Sequence, residues 1–157
     1  MTGTFQIKKQ LDGGVQELLE LESKVILAVN DPVAFSTDGT VVAYGTGDEI
    51  VGVNSSEMVA PEFYNAADLT GIAVTPVKVL ISPVKSSSNV EVLPSVAITT
   101  EAAAKAEIGL LRDFNASNKL IAGIAGTDAQ VVDYMVYTAK DGTLNINPIV
   151  KLLITQY

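Results

Sequence analysis

The sequence predicts a mainly β (α+β) domain: a small β-barrel or sandwich of short antiparallel strands, with one helix near residues 100–114. Three observations carry this expectation. Short runs rich in Val, Ile and Thr recur along the chain, and these residue types suit a pleated, half-buried surface. Clusters of Gly, Asp and Pro separate the runs where hairpins need turns. A single alanine-rich stretch, Ala102-Ala103-Ala104-Lys105-Ala106, has high helix propensity.

Taken in order, residues 1–10 read as an N-terminal arm ahead of a single β-rich domain, 11–157. Phe5 and Ile7 alternate with polar neighbours, which suits an edge strand, and Lys8-Lys9 follow. The arm is expected to be dispensable for folding. Residues 11–24 fit two periods. Val15, Leu18 and Leu19 make a helical stripe, while Leu19, Leu21, Ser23, Val25 and Leu27 alternate as a strand. The strand reading, running on through Lys24–Ala28, is preferred.

From Asp31 to Asn54 the grammar is that of β-hairpins. The runs Asp31–Phe35, Thr40–Tyr44 and Ile50–Val53 are broken by Thr37-Asp38-Gly39 and by Gly45-Thr46-Gly47-Asp48. Asp38-Gly39 suits a type I′ turn, whose two central residues both need positive φ. A long irregular connection, 55–71, follows. Segments of this kind inside compact domains are often functional. It holds Met58, Val59, Phe63 and Tyr64. Adjacent Phe63 and Tyr64 cannot both face one side of an extended strand, so one is available to a partner or both form a satellite core. Val77–Ile81 reads as a strand bounded by Pro76 and Pro83, because proline in sheets is confined to edges, ends and bulges. Residues 85–89, Lys85-Ser86-Ser87-Ser88-Asn89, are a hairpin loop or a boundary between two lobes.

The helix is expected to be capped by Thr99 or Thr100, with Glu101 in its first turn. Ala104, Ile108 and Leu111 would form its inner face, extended by Leu110 and Phe114 and weakened at Gly109, with Asn115 at its end. Strands are expected at Leu120–Ala125, Val131–Thr138 and Ile149–Thr155, and Lys140-Asp141-Gly142-Thr143 is a second Asp-Gly turn.

Composition limits function. A chain of 157 residues can bury roughly 70% of its extended surface without disulfides or metal. Charged residues make up 18%, against roughly 25% in an ordinary domain, which suggests surface that an oligomer buries. The net charge is −8, from 18 acids and 10 bases, so the clustered cations that phosphate binding requires are missing. Neither nucleic acid nor an anionic membrane is an expected partner. Met1-Thr2-Gly3-Thr4 opens no charged n-region before an apolar stretch, so no signal peptide is expected. No apolar run reaches the ~20 residues that span a bilayer.

The chain has no histidine, cysteine or tryptophan. It therefore lacks the side chain best suited to proton transfer near neutral pH and the best thiol nucleophile. Catalysis would fall to carboxylates, lysine, tyrosine or a serine–lysine pair. The acids Asp31, Asp48, Glu49, Asp68, Asp113, Asp128 and Asp133 show no calcium-loop spacing. The 45–49 loop lacks the lysine and the following helix of a phosphate cradle and reads as a turn. Ser86-Ser87-Ser88 beside Lys85 reads as a solvated loop, and Asn115-Ala116-Ser117 is only a formal glycosylation match. No enzymatic role, cofactor or metal is expected.

The run Asn30-Asp31-Pro32-Val33-Ala34-Phe35, then Asp38-Gly39-Thr40-Val41-Val42, then Gly47-Asp48-Glu49-Ile50-Val51-Gly52-Val53 resembles the head decoration (capsid cement) proteins of tailed phages. The resemblance covers about a quarter of the chain. It implies a compact β domain acting as a non-enzymatic clamp on the outer surface of the capsid, made in the host cytoplasm. It also implies a homotrimer whose partner is the major capsid protein, which some relatives reach with an N-terminal arm. Phe5, Ile7, Met58, Val59, Phe63 and Tyr64 are the interface candidates. The alanine-rich helix and the 55–71 connection depart from that pattern. A tail-tube or fibre subunit of a virion is the nearest alternative. A carbohydrate-binding β-sandwich is the alternative of another class, disfavoured by the lack of tryptophan to floor a sugar site.

Overall fold

A computed structural model describes residues 5–10, 18–45, 48–56, 77–85 and 88–155. The protein is mainly β: among the described residues there are two antiparallel five-stranded sheets and one short helix, and neither sheet closes into a barrel. In chain order the elements are β1 (Phe5–Gln10), β2 (Leu19–Ser23), β3 (Pro32–Phe35), β4 (Val41–Ala43), β5 (Gly52–Asn54) and β6 (Val77–Pro83). They continue with β7 (Ser88–Val92), α1 (Glu101–Glu107), β8 (Leu111–Arg112), β9 (Ala129–Thr138) and β10 (Leu144–Leu152).

The first sheet has the order β2-β6-β5-β3-β4 and the second β1-β7-β10-β9-β8. The first sheet curls around a core of its own, made by Leu27, Val33, Val41, Val51, Val79 and Ile81 with Leu19 and Leu21 packed against them. Burying each such side chain contributes about 1.5–3 kcal/mol. The curl brings edge strands β2 and β4 together, where the buried Ser23 hydroxyl donates to the Val41 carbonyl at 2.9 Å. A second core lies between the sheets. Tyr44, Ile50, Val53 and Val84 from the first side meet Val90, Val92, Ala129, Val131, Val150 and Leu152 from the second, with Phe114 and Leu120 completing it. A parallel bridge between Ile50 and Thr155 ties the C-terminal segment back to the first half.

Close approach explains one glycine. A methyl group at Gly52 would collide with the Ser82 carbonyl and the Ile81 side chain, so only glycine lets β5 lie against β6 there.

The strand reading holds for Leu19–Ser23, which alternates inward and outward and pairs with β6. It fails beyond Ser23: residues 24–28 are a loop, fastened by Ala28 N donating to Asp31 Oδ2 at 2.8 Å. β3 and β4 form the expected hairpin, but β5 pairs with β3 and not with β4. The segment between them detours through Ile50, whose N–H donates to Ile154 O at 2.7 Å. The Asp38-Gly39 turn is not type I′, because Gly39 alone has positive φ, at 84°. It is a three-residue loop: Gly39 N donates to Ser36 O at 3.1 Å and Ser36 N to Thr40 O at 2.7 Å. This is a turn followed by a left-handed residue at a bulge. Residues 140–142 repeat that pattern, with Gly142 at φ 85°.

The helix is shorter than its composition suggests. Thr100 caps it as expected, its side chain accepting from Ala103 N at 3.3 Å. It stops at Glu107 because Gly109 turns left-handed, at φ 88°, and donates its N–H to Val131 O. Of the predicted inner face only Ala104 is buried; Ile108, Leu110 and Leu111 are exposed. Phe114 is buried, but in the inter-sheet core and not on a helix. Residues 120–125 form no strand; only Leu120 makes bridges, to Pro94 and Phe114. Asn115 opens a third three-residue loop, with Asn118 in the left-handed position at φ 58°. The last strand begins at Leu144, earlier than expected, and carries Pro148 opposite Tyr134. β7 pairs with β10 only over Ile149–Lys151, so proline costs no ladder bond to β7 at that point. Of the polar stretch, Lys85 follows β6 of the first sheet, and Ser88 and Asn89 begin β7 of the second.

Candidate interaction surface

The carboxylates singled out in the sequence are mostly engaged in holding backbone. Asp48 Oδ2 accepts from Gly45 N at 3.1 Å. Asp113 Oδ1 accepts from Thr127 N at 2.6 Å, and Asp128 Oδ2 from Phe114 N at 3.0 Å. Asp133 Oδ1 accepts from Tyr134 N at 2.8 Å. Glu49 is exposed, and Asp68 lies outside the described residues. A carboxylate that accepts backbone N–H bonds replaces a missing ladder or turn bond, and that is the role these acids fill. Burial, with Asp128, Asp48 and Asp113 nearby, pushes the Tyr44 hydroxyl up to about 12. Among the described residues no three acidic side chains are arranged to hold a metal ion.

Of the interface candidates, Phe5 and Ile7 lie on β1, the edge strand of the second sheet, in register with Val92 and Val90 of β7. Met58, Val59, Phe63 and Tyr64 lie outside the described residues.

The structure reveals an apolar surface that sequence reasoning missed. Ile108, Leu110, Leu111 and Ile124 are all exposed, Ile124 at 67%. Arg112, which is 6% exposed, braces the backbone that carries two of them, Leu111 and Ile124. Its guanidinium grips Glu107 through two bonds, Nε to Oε2 at 2.7 Å and Nη2 to Oε1 at 3.1 Å. Nη1 reaches the carbonyls of Leu111 at 3.1 Å and Ile124 at 3.2 Å. The Glu107 carboxylate also raises the Arg112 pKa above its ordinary value. A two-point, planar grip of this kind fixes direction as well as distance. The exposed aliphatics are thus mounted on a rigid base at the β8 edge of the second sheet. Gly109 was the available signal: a glycine closing the helix there puts Leu110 and Leu111 beyond its buried stripe.

On the same sheet's face opposite the inter-sheet core, Glu91 is only 4% exposed. Its Oε1 accepts from the Tyr137 hydroxyl at 2.6 Å and from Asn147 Nδ2 at 3.0 Å. These bonds tie the β9–β10 hairpin to β7.

The class that fold and surface define is an antiparallel two-sheet β protein with a rigid apolar edge. No known protein family, curated protein or solved structure matches the chain.

Proposed function

We propose that this protein is a non-enzymatic structural subunit of a phage virion, one that decorates the capsid and clamps neighbouring capsomers. In this reading it is a homotrimer on the outer capsid surface, and the major capsid protein is its partner. The observation that carries the reading is the rigid apolar edge of Ile108, Leu110, Leu111 and Ile124. Large aliphatics exposed on a braced scaffold are what a protein partner covers. A second support is that the residues bearing the family resemblance fold into β3, β4 and β5, adjacent strands of one sheet. Asp48, Asp113, Asp128 and Asp133 accept backbone N–H bonds, which suits a surface-presenting scaffold.

A standard interface buries about 1,600 Å² in total, so one small subunit must recruit several patches. The β8 edge, the N-terminal arm and the 55–71 connection are the ones proposed. The test combines mass photometry with particle binding. The reading expects a trimer, free or on particles, whose attachment survives salt up to about 1 M, where screening shortens to ~3 Å. Ile124→Asp with Leu111→Asp should abolish attachment while the protein stays folded. A monomer both free and on the particle contradicts the trimer, and long polymers replace the clamp by the tail-tube or fibre reading.

A further inference from the structure

The segment 93–98 is pinned at two points and bowed between them. At one end Leu120 N donates to Leu93 O at 2.9 Å and Ser95 N donates to Leu120 O at 2.8 Å. At the other, Ile146 N donates to Ile98 O at 3.0 Å. Between the pins lies a cleft of ≈ 300 Å³. It is lined by the apolar residues Leu93, Pro94, Ala97, Ile98 and Ile146 and by the polar residues Ser95, Lys119, Asn145 and Asn147.

Asn147 donates to Glu91. The side chains of Ser95, Lys119 and Asn145 make no hydrogen bond or ion pair among the described residues. Lys119 is the informative member. In a chain of net charge −8 this cation is half-buried and makes no ion pair among the described residues. An ammonium offers three donors and no acceptor, and the amide and hydroxyl beside it can donate as well. A wall of donors carrying one positive charge suits a monoanion. One lysine without arginine is a poor match for phosphate. The aliphatic part of the lining suits an anion that carries an apolar stem. The volume lies at the small end of ligand pockets, room for about one residue.

We propose that this cleft binds a carboxylate on a short branched aliphatic stem, the C-terminal residue of a partner chain. Lys119 and Asn145 hold the carboxylate, Ser95 adds a donor, and Leu93 and Ile98 receive the stem. Capture of a chain end by a donor-lined concavity is an established mode of peptide recognition. The assignment does not depend on the proposed virion role.

The test is an NMR titration of the isotope-labelled full chain with acetyl-alanyl-valine as the free acid, with its C-terminal amide, and with isovalerate. The free acid should shift the amide signals of Ser95, Lys119 and Asn145 saturably, and the amide should bind at least about tenfold more weakly, as expected for losing a charged hydrogen bond. In Lys119→Met, which removes a side chain that makes no bond among the described residues, acid and amide should bind alike while the rest of the spectrum is unchanged. Asn145→Ala should weaken the acid selectively. Equal binding of acid and amide by the unaltered protein, or no saturable shift at millimolar concentration, overturns the proposal. Isovalerate binding as tightly as the peptide keeps the carboxylate contact but overturns the chain-end assignment.

Discussion

Asn54 carries no charge and no exposed surface, yet it joins separate stretches of backbone. Its Nδ2 donates to Ala28 O at 3.0 Å and to Ser56 O at 2.9 Å, and its Oδ1 accepts from Ser56 N at 3.2 Å. Asn54→Ala removes these bonds from a buried position, leaving the Ala28 carbonyl only its bond from Asp31 N, and should cost about 1–3 kcal/mol. Thermal denaturation should show this as a Tm lower by roughly 2–4 °C per kcal/mol. Asp38 works differently, because it sits in water. The Lys24 ammonium, 2.6 Å away, and the bonds from Thr40 hold its carboxyl well below the ordinary value of 3.8. A depressed carboxyl stabilises the fold above 3.8, and that contribution fades as pH falls toward the folded-state value. The Tm difference between the native protein and Asp38→Asn should therefore be largest near neutral pH and shrink on acidification below 3.8. A difference independent of pH would show that the side chain acts only through turn geometry.

Three loops of one design, 37–39, 116–118 and 140–142, place Gly39, Asn118 and Gly142 in the left-handed region. Nothing lies within 4 Å of where a Gly142 side chain would begin, so substitution there tests backbone strain alone. Gly142→Ala should lose about 1–2 kcal/mol. Gly142→Asn should lose less, because Asn118 already occupies the equivalent position; chemical denaturation of the two variants checks the order. These loops also mark what could be read in advance. Asp-Gly pairs announced two hairpins correctly, but pair identity does not say whether the loop has two residues or three, and that depends on strand register. The third loop was hidden inside an expected helix end. Alanine propensity found α1 and its Thr100 cap, while the glycine that ends it competed with an apolar pattern running on to Phe114. That pattern was real, but its members belong to three environments: Ala104 beneath the helix, Leu110 and Leu111 on the surface, and Phe114 between the sheets. One-dimensional periodicity cannot separate them. The apolar edge was missed for this reason, and the 93–98 cleft because its walls come from three distant segments.

At the scale of the molecule, the first sheet draws all its strands from residues 19–83, whereas the second joins the N-terminal β1 to strands that follow residue 87. Removing residues 1–10 strips an edge strand and leaves β7 paired to β10 alone. The truncated chain should fold, with a lower Tm and some self-association through the uncovered β7 edge, as light scattering would show. An unchanged Tm would mean that β1 contributes little to its own chain and is free to pair elsewhere, the behaviour of an attachment arm. The same topology has a consequence in time. A ribosome releases β1 first, but its partner β7 emerges only after the whole first sheet has been made. Domains tend to fold in the order they are synthesised, so the curled sheet can be complete while β1 is still unpaired. In a crowded polysome the first β7 that β1 meets can belong to a neighbouring nascent chain, and strand exchange then becomes a matter of which arrives sooner.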